Sequence, residues 1–184
     1  MELLLSFGLG LGLCTLMLQA VMAEGHQGQR LARALRERQV AQRVFNLLRS
    51  DLQRATAAQL SPSLAPAGSS SSAPACSLSG RRVVLHLQTP EGPVTYSVGK
   101  PTESIWRGQV LMRCGGAFGL DGRPSSGKAL NRVLLDGLAL REGALASTAG
   151  PGALRLQLRQ ELALAGRPSQ VLEHQRLLPL PSPI

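Results

Sequence analysis

The residues that could do chemistry are few, and they are scattered. The stretch GRPSSGKA at 122–129 places Gly122, Gly127 and Lys128 at the spacing of a phosphate-binding loop. There, backbone amides would wrap phosphate oxygens and the lysine would supply a cation. Ala129 stands where a Ser or Thr hydroxyl would ligate Mg²⁺, Pro124 removes one amide donor, and no buried parallel strand precedes the stretch. A polar loop between strands accounts for it better than a nucleotide site. His26, His86 and His174 form no metal-ligand spacing with Cys14, Cys76 or Cys114. His86 is expected on the polar face of its strand. No nucleophile, histidine and acid can be grouped by spacing. The expectation is a protein that is not an enzyme, with no cofactor and no metal. Cys14 lies in an apolar run and reads as a packing residue. If the C-terminal half lies in an oxidising compartment, Cys76 and Cys114 could form one disulfide.

Charge bounds the partners. The 184 residues carry a formal net charge of +9, and lysine occurs only at Lys100 and Lys128, so arginine supplies nearly all of it. An excess of this kind suits nucleic acid, lipid headgroups or acidic protein faces, or is simply a solvated basic surface. Arg81, Arg82, Arg107 and Arg113 could form a patch for DNA phosphates. With aromatic residues at 3%, stacking positions for bases are scarce and the DNA signal is weak. The same scarcity makes any core aliphatic, leucine-rich and small.

The elements that would position these residues begin with MELLLSFGLGLGLCTLMLQAVMAEG. Leu3 to Ala23 carries no charge and as a helix rises about 31 Å, enough to cross a bilayer. A cleavable signal ending at Val21-Met22-Ala23 is one origin, though no basic residue precedes the run. An ordinary anchor is another. The arginines from Arg30 to Arg54 would then hold the body on the cytoplasmic side. Residues 24–60 read as an amphipathic stem helix, rich in Ala, Leu, Arg and Gln and free of proline. Ala41, Val44, Phe45, Leu48, Leu52 and Ala55 recur at steps of three and four and share one face. This stem could alternatively lie on an anionic membrane or pair as a coiled coil. A Pro/Ser linker follows at 61–75. The period then changes to two, predicting a β-rich head over 76–178 with strands at 82–89, 94–98, 104–113, 132–140 and 153–164. Residues 170–178 fit a strand or a short helix. Pro179, Pro181 and Pro183 predict an extended, unpaired tail at 179–184.

The N-terminal segment resembles that of type IV pilins and pseudopilins, in which a short basic leader ends in Gly and a Phe-Thr-Leu-Ile/Val-Glu-Leu-Leu stretch opens a long apolar helix. Glu2, Leu3 and Leu4 match the last three positions of that stretch, and Met1 falls at its aliphatic position. The leader, its Gly and the Phe-Thr-Leu are absent from this sequence, so Met1 is expected to be a valine codon read as a start. The segment RQVAQRVFNLLRSDLQRA is similar to the stem of minor pilins and pseudopilins of the PilW and GspJ kinds, with Phe45, Leu48, Asp51, Leu52 and Arg54 matching. The resemblance implies an α+β, pilin-like plan: a long helix, transmembrane at 1–23 and amphipathic at 24–60, packed on a small antiparallel β head. Glu2, Leu3 and Leu4 would drive assembly, with Glu2 paired to the N-terminal amine of a neighbouring subunit. Val44, Phe45, Leu48, Leu52 and Ala55 would pack stem on head. The implied function is a minor type IV pilin or type II secretion pseudopilin at or near a filament tip. Its implied partners are other pilins, the prepilin peptidase, the assembly platform and the lipid bilayer. Its implied location is the inner membrane, single-pass, with a periplasmic or extracellular head, or the pilus. A single-pass membrane scaffold and a secreted β domain are the alternatives.

Overall fold

The computed structural model describes residues 2–60, 76–78, 80–119, 124–125, 127–164 and 167–180. The expected linker at 61–75, and Pro181 and Pro183 of the tail, lie outside the described residues. The chain divides into two compact units, Met1–Gln39 and Val40–Ile184. Helix α1 (Glu2–Arg54) supplies the first unit and the first element of the second.

In the first unit, large apolar side chains are exposed from Leu3 and Phe7 to Met22. Leu16, Met17 and Leu18 are consecutive and all exposed. Successive helical residues differ by about 100° in direction, so the apolar surface wraps the helix instead of forming one stripe. Two hydroxyls within it bond back to their own helix: Ser6 Oγ donates to Leu3 O at 3.1 Å and Thr15 Oγ1 to Gly12 O at 2.8 Å. Such back-bonding hides a hydroxyl on its own helix.

In the second unit the apolar stripe of α1 enters the core. Ala41, Val44, Phe45, Leu48, Leu52 and Ala55 are all buried. The helix ends at Arg54, not at Leu60. Thr56 N donates to Gln88 O at 2.8 Å, and its hydroxyl reaches the same oxygen at 3.2 Å. The backbone thereby exchanges helical partners for a strand. Residues 57–60, good helix formers by type, become β1 (Ala57–Leu60) through tertiary pairing.

β2 (Arg82–Thr89) and β3 (Gly92–Gly99) form a hairpin, and β4 (Gln109–Gly115) and β5 (Leu130–Leu138) continue it antiparallel. β4 begins five residues later than the sequence period suggested, because 104–105 form a turn. β6 (Ala144–Thr148) was not anticipated; β7 (Ala153–Leu164) matches its expected range. β8 (Arg167–Pro179) is a strand throughout, and Pro179, expected in the unpaired tail, lies opposite Ala153. The sheet has eight strands in the order β1-β2-β3-β4-β5-β7-β6, with β8 on β7.

β5 and β6 share one edge of β7, since Leu138 faces Gln160 and Ala144 faces Leu158. The ladder bridges the loop between them: Ala139 N donates to Arg159 O, and Arg159 N to Gly143 O, both at 2.9 Å. A side chain at Gly143 would stand 2.5 Å from Ala139 O, so only glycine closes this loop. The sheet curls enough for Arg82 Nη2 to reach Ala144 O at 2.9 Å, from β2 to β6.

The α+β, pilin-like plan of a long membrane-crossing helix on a small head is therefore corrected. The chain is mostly antiparallel β, in one curled eight-stranded sheet. Among the described residues, no helix is long and apolar enough to cross a membrane. The same finding overturns the inner-membrane, single-pass placement with a periplasmic or extracellular head. A run without charge is not a run of uniform apolarity: Ser6, Gly8, Gly10, Gly12, Thr15 and Gln19 interrupt the leucines. The head also grew beyond expectation because strands formed at 57–60 and 144–148, where neither stretch shows clear alternation.

Candidate functional site

Register decides what faces α1. Tyr96 of β3 lies directly opposite Arg113 of β4. Directly opposed residues share a face, and here that face meets the buried side of α1. The helix places Asp51 there, on the same side as Leu48 and Leu52 and with no exposed surface. Asp51 Oδ2 accepts from Tyr96 Oη at 2.5 Å and from Arg113 Nε at 2.7 Å. Its Oδ1 accepts from Arg113 Nη2 at 3.2 Å and from Arg54 Nη2 at 2.5 Å. Arg113 Nη1 donates to Gly116 O at 3.0 Å. The ring of Phe118 lies 4.9 Å from the Arg113 guanidinium carbon and 5.6 Å from that of Arg54. A carboxylate buried this way is tolerable only because each oxygen accepts two donors.

The electrostatics follow from this packing. Burial and the adjacent Asp51 carboxylate push the Tyr96 phenol well above its ordinary range, so it remains a donor. Burial works against the Arg113 cation, but hydrogen bonds and charge attraction from Asp51 outweigh it and raise the group. The cluster has no opening for a substrate, since Asp51, Tyr96 and Arg113 are all essentially inaccessible. It acts as a clamp between helix and sheet.

The opposite face of β2–β4 carries His86, Thr95, Ser97, Met112 and Cys114, all buried. Cys76 and Cys114 are joined by a disulfide with a Cα–Cα distance of 6.0 Å, which lays the segment around Cys76 over this face. Asn131 Nδ2 and Arg81 Nη2 both donate to Ser77 O, at 3.2 and 3.0 Å. His86, expected on the polar face of its strand, is buried. Its Nδ1 lies 2.8 Å from Thr95 Oγ1, and its Nε2 lies 3.0 Å from Gln88 Nε2. Burial lowers its basicity.

The expected basic patch is not one surface. Arg113 is inside the clamp, and Arg81 is buried. Arg107 forms a two-pronged pair with Asp136, at 3.1 Å through Nε and 3.0 Å through Nη2. Arg82 and Arg107 are exposed, but Arg107 is held by Asp136. Arg82 lines a groove of about 350 Å³ with Lys100, Gln109 and Glu142, whose lining includes no Ser, Thr, Cys or His. Of the phosphate-loop candidates, Gly122 lies outside the described residues, while Gly127 and Lys128 are exposed and Pro124 bridges to Phe118. Among the described residues, no three His, Cys, Asp or Glu side chains gather as a metal site.

The assembly residues Glu2 and Leu3 are exposed in the first turn of α1; the Leu4 side chain is outside the described residues. The stem residues Val44, Phe45, Leu48, Leu52 and Ala55 are gathered in one core with Val84, Leu85 and Leu87 of β2. The Asp51–Arg113–Tyr96 grouping was missed by sequence reasoning. Its one available signal was an acid on the apolar stripe of a predominantly basic stem. Comparison with protein-family models, curated proteins and solved structures finds no match for this chain.

Proposed function

We propose that this chain is a structural subunit of a pilin-like filament, a minor pilin or a type II secretion pseudopilin, which assembles through the apolar surface of α1. The observation that carries the proposal is the all-round exposure of leucines and other apolar residues from Leu3 to Met22. Contiguous exposed apolar surface of this extent marks an interaction site. Each large side chain buried against a neighbour contributes roughly 1.5–3 kcal/mol. Packing against like helices from other subunits covers every side at once, which a single groove does not.

Glu2 gives that packing a register. A carboxylate carried into an apolar bundle is costly unless a cation meets it, so burial is tolerated only when the neighbour is correctly placed. The head then acts as cargo, held to its own piece of helix by the clamp at Asp51. The test is incorporation of Glu2→Ala and Glu2→Gln chains into filaments beside the other subunits of their system. Both are expected to drop out while keeping a folded head. Wild-type incorporation of both would overturn the proposal. A mature chain beginning at Glu24, measured by mass, would favour a secreted domain.

A further inference from the structure

β8 is paired on one edge only. Its partner β7 runs along its whole length, and among the described residues no strand lies on its other side. An antiparallel strand directs alternate backbone pairs to each neighbour, so about half of the N–H and C=O groups of β8 point outward. Proteins protect such edges with short length, bulges, proline or lysine. β1, at one end of the strand path, is only four residues long. β8 has 13 residues, and between Ser169 and Leu178 it contains no proline, glycine or lysine. Residues 171–178 pair with β7 without a register shift. On the face away from the core, Val171 and Leu177 are 45% and 61% exposed, on either side of Glu173 and Gln175.

We propose that the free edge of β8 pairs antiparallel with β8 of a second copy of this chain, about a twofold axis at His174. Such an axis stands perpendicular to the sheet and keeps each face on its own side, so it passes between a residue and its own copy. Placed at His174, it sets Val171 opposite the partner's Leu177 and Glu173 opposite the partner's Gln175. The two exposed apolar residues then cover each other, and no like charges are directly opposed. Neighbouring registers do worse. An axis at Glu173 opposes two carboxylates and sets Val171 against glutamine. One at Gln175 sets Leu177 against Glu173 and Arg176 against His174. One at Arg176 opposes two guanidiniums. Like charges directly opposite are destabilising and matched apolar pairs are stabilising, which singles out the His174 register. The occupant is a second copy because the strand is complementary to itself. The contact goes beyond the assembly proposed for α1 and uses none of its residues.

The test uses the full chain with Cys14→Ser, in mild detergent that covers the apolar helix. His174→Cys alone is expected to give a covalent dimer under mild oxidation or with a short bis-maleimide. Val171→Cys and Leu177→Cys are each expected to stay monomeric alone and to link when mixed. Adding Val171→Lys and Leu177→Lys to the His174→Cys chain opposes like charges and is expected to cut the dimer yield at least tenfold. Retention of the Cys76–Cys114 bridge and of the near-ultraviolet spectrum reports that each variant is folded. Absence of the His174→Cys dimer in folded protein overturns the inference. Equal linking of all three cysteines alone also overturns it, because that pattern marks unspecific association. Either failure leaves the role of Glu2 untouched, which is read by incorporation into filaments.

Discussion

Asp51 and Arg113 stand 62 residues apart in sequence and 2.7 Å apart in space, in a pair that water does not reach. The pair joins α1 to β4, and Tyr96 and Arg54 complete it. Removing one member leaves the other charged, buried and alone. Asp51→Ala is therefore expected to destabilise the head by about 3–5 kcal/mol. Combining it with Arg113→Met removes the orphan charge and is expected to recover part of that loss. Tyr96→Phe, which leaves the ion pair intact, is expected to cost about 1 kcal/mol. Urea unfolding of the four proteins checks the set; a double variant less stable than Asp51→Ala would show that the clamp is not the source of the effect.

Leu48 and Leu52 test the apolar half of the same contact. Both are almost fully buried against the sheet. Leu48→Ala removes three carbons where neighbours relax only in part, and is expected to cost about 2–5 kcal/mol. Arg43, exposed on the other side of α1, is expected to change stability by less than about 0.5 kcal/mol when replaced by alanine. Equal effects at the two positions would contradict the packing.

The strand at 153–164 was legible because its alternation is a local property and the structure keeps it, burying Leu154, Leu156 and Leu158. At 82–89 the strand formed, but the register shifts between Val83 and Leu85, and Val84 to Leu87 are all buried. The stripe from Ala41 to Ala55 was legible, like the strand at 153–164, from a local period, here the helical one. What was not legible depended on partners far away in sequence. Residues 57–60 are helix formers until Gln88 offers Thr56 a hydrogen bond. Arg113 reads as surface charge until the register with Tyr96 turns it toward Asp51. The exposure of Leu16, Met17 and Leu18 is seen in the structure alone. Pairing across the sheet, not composition, decided the candidate site.

His86 makes the head sensitive to mild acid. In the arrangement with Gln88 donating to Nε2 and Nδ1–H donating to Thr95, only a neutral imidazole fits. Burial lowers its folded pKa below the ordinary value of about 6.5. A group depressed in this sense contributes stability that is present above the unfolded pKa and is lost as pH falls through the folded one. The urea midpoint is expected to hold steady above about pH 6.5 and to fall below it. His86→Asn is expected to start lower and to flatten that fall. Parallel curves for the two proteins would show that His86 does not carry it.

The Cys76–Cys114 bridge is a staple over the outer face of β2–β4, and it ties residues 38 apart in sequence. Reduction releases the segment around Cys76 from Cys114 of β4. Loss of a native bridge of this kind costs about 2–5 kcal/mol. Cys76→Ser is expected to match chemical reduction of the wild type in thermal melts, and reduction of the variant is expected to add nothing further. A larger loss on reducing the variant would point to another thiol-dependent contact.

Folding and assembly are carried by different residues, and one substitution separates them. Leu16 lies in the unit Met1–Gln39 and is 66% exposed, whereas the head's core draws on α1 only from Val40 onward. Leu16→Glu exchanges an apolar contact for a charge that has no partner in a packed helix bundle, and burying such a charge costs several kcal/mol. The head's melting temperature is expected to be unchanged, because no core residue is touched. Incorporation beside other subunits is expected to fall to background. Leu48→Ala is expected to do the reverse first: it lowers the melting temperature, while the surface from Leu3 to Met22 remains intact. Measured together, the two variants distinguish a surface built for assembly from one that merely supports the fold. A destabilised head in Leu16→Glu, or undiminished incorporation, would break the separation.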